Sequence, residues 1–139
     1  RWENPERSTR QVRNRVEALA DVDCCWSGSH LNKSAYAVDH AFPFARWPNN
    51  DLWNLLPTKT AINAAKSDKL PTRQRLLHAK TYILEWWQQA WQDNSREFFT
   101  QANLALPDLL PTNTNFDDVF AALTVQRDRI KQLQQLQDW

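Results

Sequence analysis

Five polar side chains in the middle of the chain have types and spacings that suit chemistry on a phosphodiester: Asp39, His40, Asn54, Asn63 and Lys66. An aspartate carboxylate and an asparagine carbonyl are hard oxygen ligands of the kind that Mg²⁺ and Mn²⁺ prefer. A histidine next to the aspartate titrates near neutral pH and can take a proton from an attacking water. We therefore predict metal-assisted phosphodiester hydrolysis, with Lys66 holding a substrate phosphate as a point charge.

Two short strands around a loop are predicted to position the first of these residues. The β-prone run 36–38 leads directly into Asp39-His40. Two prolines and an Asn-Asn pair then break regular structure over 43–50. Residues 52–56 are predicted to form the second strand, which contains Asn54 and is closed by the following proline.

An alanine-rich helix is predicted to follow the second strand. Thr58 is a suitable cap for a helix over about 59–67. Asn63 and Lys66 are three residues apart, so they share one face of this helix. The strand–loop–strand–helix unit ends at 70–72, and its size allows Asp39, His40 and Asn63 to meet at one point.

Helical periodicity predicts longer helices on both sides of this unit. Asn4 and Pro5 are typical of a helix start, and this first helix is expected to end near residue 20. Further helices are predicted over about 73–92, over 95–104 and from 116 onward. Bases can stack on tryptophans, but in a chain this short we interpret the clustered tryptophans as core.

Four segments together resemble the HNH endonuclease motif: Cys25-Trp26-Ser27-Gly28, Tyr36-Ala37-Val38-Asp39-His40, Trp53-Asn54-Leu55 and Asn63-Ala64-Ala65-Lys66. They are similar both to bacterial HNH proteins and to the HNH domain of CRISPR effector nucleases. The resemblance implies a ββα-metal finger over 23–72. With an N-terminal helix (1–22) and a helical extension packed on the core (73–139), we expect an α+β fold.

The resemblance also implies a role for each residue. Asp39 and Asn63 become the ligands of one divalent cation, Mg²⁺ or Mn²⁺, and His40 becomes the general base. Asn54 becomes a buried residue that orients the loop and the base. The expected reaction is DNA cleavage to a 5′-phosphate and a 3′-hydroxyl. Gly28 stands where a zinc-knuckle cysteine occurs in many members, so no structural zinc is expected.

The local charge distribution predicts where DNA would contact the chain. The formal net charge is only +1, but residues 59–80 contain six basic residues and one acid. We predict nucleic-acid contacts, to double-stranded, nicked or single-stranded DNA, at Lys66, Lys69 and Arg73. Arginines of the first helix are an alternative set for the DNA backbone: Arg7, Arg10 and Arg13.

Composition excludes several other classes. A single glycine argues against a glycine-rich nucleotide-binding loop, and the apolar runs are far shorter than the ~20 residues of a membrane span. The adjacent Cys24-Cys25 pair is interpreted as two reduced, partly buried thiols, so a cytoplasmic location is expected. The chain begins with Arg1-Trp2, and we expect it to be the nuclease part of a larger protein or complex in which another domain or subunit supplies targeting.

Two other functions fit the same sequence. The first is a non-catalytic nucleic-acid-binding module that keeps the HNH scaffold; DNA binding without cleavage would favour it. The second is a helical interaction module in which residues 73–139 carry the function; cleavage that survives deletion of this extension would argue against it.

Overall fold

A computed structural model describes residues 5–45, 47–112 and 114–139 and shows a small sheet surrounded by helices. The elements are α1 (Pro5–Ala18), β1 (Tyr36–His40), β2 (Leu55–Lys59), α2 (Thr60–Lys66), α3 (Arg73–Trp91), α4 (Ser95–Ala105) and α5 (Phe116–Gln134). Single 3-10 turns occur at Leu52–Asn54 and Gln92–Asn94. The predicted α+β class is confirmed, while Asn4, the predicted cap of the first helix, lies outside the described residues.

The sheet is an antiparallel pair with a helix attached to its second strand. Tyr36 pairs with Lys59 at one end of the register and His40 pairs with Leu55 at the other. α2 begins at the residue after β2 and packs against both strands. This ββα unit is the one that the resemblance implies, and its short connection leaves the end of β1 close to α2.

The second strand and the helix cap differ from the predictions. Asn54 lies in a 3-10 turn and not in the strand. β2 begins at the next residue, Leu55, and continues through Pro57 to Lys59. The Pro57 carbonyl points away from β1 and accepts a hydrogen bond from Cys25 N over 3.0 Å. The nitrogen of Pro57 points to the same side, so no hydrogen bond to β1 is lost through the missing N–H. Thr58 is therefore a strand residue, and Lys59 is the N-cap of α2.

The surrounding helices supply the core that a two-stranded sheet lacks. α1 packs on both strands with the fully buried Val12 and Val16, and α3 packs against α5. The interpretation of the tryptophans as core is confirmed for those of α3 and the first 3-10 turn, which are at most 2% exposed: Trp53, Trp86, Trp87 and Trp91. Within the described ranges, no helix is both long and apolar enough to cross a bilayer.

The two cysteines are buried and unpaired. Cys24 Sγ accepts a hydrogen bond from Lys59 N over 3.4 Å. Burial, followed by the neighbouring Cys24, raises the pKa of the Cys25 thiol well above its usual value. A thiol in this state is a poor nucleophile, so Cys25 serves packing.

Candidate active site

The end of β1 and the face of α2 enclose a cleft of about 370 Å³. Asp39 and His40 enter it from the strand, and Asn63 enters it from the helix. The rest of the lining comes from β1, the loop after it and the end of α2: Val38, Pro43, Phe44, Ala45, Ser67 and Asp68. Three of the residues predicted from the sequence thus share one cleft.

Asp39 is held at both carboxylate oxygens. Its Oδ2 accepts from the Trp26 indole Nε1–H over 2.8 Å, and its Oδ1 lies 3.3 Å from Lys66 Nζ. The side chain is buried, 4% of its surface being exposed. Burial raises the pKa of the Asp39 carboxyl, and the Lys66 charge and the Trp26 hydrogen bond act in the opposite direction. The two partners therefore orient the carboxyl group and partly offset the effect of its burial.

Lys66 is placed differently from the prediction. Its side chain is 0% exposed, and Nζ donates to the carbonyl of His40 over 2.7 Å as well as pairing with Asp39. Burial lowers the pKa of the Lys66 ammonium, and Asp39 counteracts this. This placement corrects the predicted phosphate contact. The Lys66 ammonium group faces the Asp39 carboxylate and the His40 carbonyl, and it is not exposed to solvent. Asn63 and Lys66 both lie on α2 as predicted, but Asn63 lines the cleft while Lys66 is buried, because spacing alone carries no information on burial.

His40 has a defined ring orientation. Its Nε2 lies 2.8 Å from Asn50 Oδ1, and its ring packs at a tilt against Phe44 with centroids 5.0 Å apart. An amide oxygen can only accept, so this assigns the ring proton to Nε2 and leaves Nδ1 as the basic nitrogen. Burial lowers the pKa of His40, with Asn50 and Asp39 opposing the shift. The lowered pKa favours the neutral imidazole, the form that a general base requires.

Asn54 closes the loop that carries Asn50. Its Oδ1 accepts from Phe42 N and its Nδ2 donates to the carbonyl of Asn49, each over 2.9 Å. The side chain is 0% exposed. Because the two bonds join both ends of the loop, the placement supports the predicted role in orienting the loop, and through Asn50 the His40 ring.

A family model described as HNH endonuclease matches residues 24–72. Residues 24–72 belong to the HNH endonuclease family. Comparison of the chain with curated proteins and with solved structures gave no match. The HNH segment contains the ββα unit and the whole cleft, and it ends immediately before α3. The family predicted from the motif is thus confirmed, and with it nuclease character at the level of the family.

Neither Lys69 nor Arg73, which are predicted to bind DNA, lines the cleft. Lys69 is partly exposed after α2, and Arg73 opens α3 with its guanidinium group 2.8 Å from Asp128. In the alternative set on α1, Arg13 lies over the Tyr36 ring at 5.3 Å. The side chain of Arg7 is outside the described part of the chain. DNA contact at these positions stays a prediction.

Three further residues belong to the HNH site and were not assigned a role from the sequence. Trp26 was noted only as part of the motif, and Asn50 only as a loop breaker. Asp68 lines the same cleft as Asp39, two positions after Lys66. In the sequence, each is only a polar or aromatic residue in or beside the motif. Their tertiary contacts distinguish these three from ordinary loop residues.

The donor set of the HNH cleft fits one hard divalent cation. Among the described residues no three His, Cys, Asp or Glu side chains form a cluster that could hold a metal by themselves. Mg²⁺ is commonly bound through one or two protein carboxylates, with water and substrate phosphate as the other ligands. The Asp39 carboxylate and the Asn63 amide at one cleft satisfy that requirement, and Asp68 supplies a second carboxylate nearby.

Proposed function

We propose that this chain is a metal-dependent DNA endonuclease that hydrolyses phosphodiester bonds by a one-metal mechanism, with His40 as general base. The observation that carries the proposal is the shared cleft: Asp39 and Asn63 face it together with an imidazole whose Nε2 is engaged by Asn50. A general base needs a fixed direction and a pKa that favours its neutral form; the Asn50 contact and the lowered pKa of His40 support both.

In this proposal each side chain has one task. Asp39 and Asn63 hold the cation, Mg²⁺ or Mn²⁺, which when bound supplies stabilisation of the charge on the phosphate and leaving oxygen. His40 Nδ1 takes a proton from water as the water oxygen attacks phosphorus. The bond from phosphorus to the 3′ oxygen breaks, which yields a 5′-phosphate and, after protonation, a 3′-hydroxyl. Asn54 acts indirectly, by holding the loop that carries Asn50.

Substrate binding and context are also part of the proposal. Lys69 and Arg73 contact the DNA backbone and read no sequence. The HNH core (23–72) is braced by the N-terminal helix (1–22) and the helical extension (73–139). A further domain or subunit directs the nuclease to its target, in the cytoplasm.

The proposal is tested with supercoiled plasmid incubated with the protein in Mg²⁺, Mn²⁺ or EDTA. We expect nicking or linearisation that requires a divalent ion, and 5′-phosphate ends on the products. Titration with Mn²⁺ should show weaker binding for Asp39→Asn and Asn63→Ala than for wild type. Lys33→Ala, a change outside the cleft, serves as the control for the titration.

Three results would count against the proposal or a part of it. Cleavage that continues in EDTA would exclude the metal-dependent reaction. Tight DNA binding by the wild type without cleavage in either ion would favour the non-catalytic scaffold instead. Unchanged Mn²⁺ affinity in either variant would remove that residue as a ligand.

A further inference from the structure

Trp26 makes a buried hydrogen bond to the proposed metal ligand Asp39. The indole Nε1–H donates to Oδ2 over 2.8 Å, and the two side chains are 5% and 4% exposed. An indole N–H can only donate, so the bond fixes which carboxylate oxygen faces Trp26. Oδ1, the oxygen 3.3 Å from Lys66 Nζ, is left on the other side of the group.

The turn that contains Trp26 is attached to the rest of the protein at several points. Its ends meet in a bridge between Asp23 and His30, and Cys25 N donates to the carbonyl of Pro57 over 3.0 Å. Gly28, with φ of 75°, lies so close to α3 that a Cβ atom would be 2.5 Å from the Tyr82 ring. The backbone next to Trp26 is therefore fixed against both β2 and α3.

Segment 137–139 covers the Trp26 ring from the opposite end of the chain. Leu70 N donates to this segment over 2.8 Å, and the Leu70 carbonyl accepts from Trp139 N over 2.7 Å. The Trp139 ring meets the Trp26 ring edge to face, with centroids 5.0 Å apart and planes at 84°. Arg75 Cζ lies 3.9 Å from the centroid of the Trp139 ring. Trp139 is thus packed between Arg75 and Trp26.

We propose that Trp26 is a positioning residue for the metal-binding carboxylate of Asp39, and that segment 137–139 keeps Trp26 in place through Trp139. The inference rests on the proposed function, because it takes Asp39 as a metal ligand. Hydrogen bonds to a ligating group orient it, and their loss typically costs about 10–100-fold in metal affinity or activity. Trp26 contacts Asp39 directly, whereas Trp139 acts on Asp39 only through Trp26. Loss of Trp26 is therefore expected to reduce metal affinity more than loss of Trp139.

The experiment compares Trp26→Phe, Trp139→Ala and Trp139→Phe with wild type. Trp26→Phe removes the N–H and keeps an aromatic ring. Trp86→Phe is the matched control, because the Trp86 indole N–H is buried without a hydrogen-bond partner in the described part of the chain. Mn²⁺ affinity, the metal dependence of plasmid cleavage and the thermal unfolding midpoint are measured for each. Hydrogen exchange of the Trp26 indole proton is followed by NMR in the absence of metal.

We expect Trp26→Phe to weaken Mn²⁺ binding by about tenfold or more. Trp139→Ala should weaken it less and accelerate exchange of the Trp26 indole proton, while Trp139→Phe restores both. Trp86→Phe should leave Mn²⁺ affinity unchanged even where it lowers the unfolding midpoint. Wild-type Mn²⁺ affinity in a folded Trp26→Phe protein would overturn this inference alone. Failure of the wild type to bind Mn²⁺ would overturn the proposed function and this inference together.

Discussion

Replacing Lys66 with methionine tests how the cleft is built. The substitution removes the ammonium group and keeps an unbranched side chain of similar length. In the wild type this group is 0% exposed and has two partners, Asp39 Oδ1 at 3.3 Å and the carbonyl of His40 at 2.7 Å. The variant therefore leaves a buried carboxylate without its counter-charge.

The expected loss of stability follows from these contacts. Two unit charges at this separation attract by about 5 kcal/mol at an effective dielectric constant near 20, and desolvation of both groups offsets much of this. Removing one partner of a buried pair costs about 3–5 kcal/mol, because the other charge stays buried. We expect Lys66→Met to lower the free energy of unfolding by that amount, out of roughly 5–15 kcal/mol for a domain.

The assay is urea unfolding at pH 7 without metal ions, for wild type, Lys66→Met, Asp39→Asn and the double variant. The double variant should lose about 2–3 kcal/mol less than the sum of the single losses, since the unpaired charges are gone. Lys69→Met, at a partly exposed lysine on the same segment, should change stability by about 0.5 kcal/mol or less. Additive losses, or a Lys66→Met protein as stable as wild type, would refute the assignment of a coupled buried pair.

Three other predictions concern the loop, the turn and the base. Asn54→Ala leaves the Phe42 N–H buried without its acceptor and should cost about 1–3 kcal/mol in urea unfolding, together with a lower cleavage rate; wild-type stability would contradict this. Gly28→Ala places a side chain at φ 75° and 2.5 Å from the Tyr82 ring, and a loss of at least about 1–2 kcal/mol in the same assay is expected; no loss would exclude the close approach. Burial lowers the pKa of His40, so this base becomes protonated and inactive only at lower pH. The fall of the cleavage rate on the acid side should therefore lie below pH 6.5, the ordinary pKa of histidine. A fall of the rate above that pH would count against His40.

The sequence predicted β1 and α3 well because their signals are local. The β-prone run ending in Asp39-His40 became β1, and the boundaries of α3 fell within one residue of the prediction. Each of these features depends on residues within one or two turns of each other.

The errors have a common physical origin in contacts between distant residues. Pro57 was taken as the end of a strand, but the direction of its amide depends on the partner strand and on Cys25. Lys66 was predicted to hold a substrate phosphate, but it is buried beside a carboxylate 27 positions away in the sequence. The contact between Trp26 and Trp139 joins opposite ends of the chain, and no local pattern signals it.

The most direct test of the proposed nuclease is plasmid cleavage by wild type, His40→Ala and His78→Ala in the same Mg²⁺ buffer. His78 is exposed on α3, so its variant controls for loss of an imidazole away from the cleft. We predict that His40→Ala cuts about 10²–10⁴-fold more slowly, as expected for loss of a general base, and still binds Mn²⁺ and unfolds as the wild type does. His78→Ala should cut at the wild-type rate. Cleavage by a folded His40→Ala protein at a rate close to wild type would contradict the account.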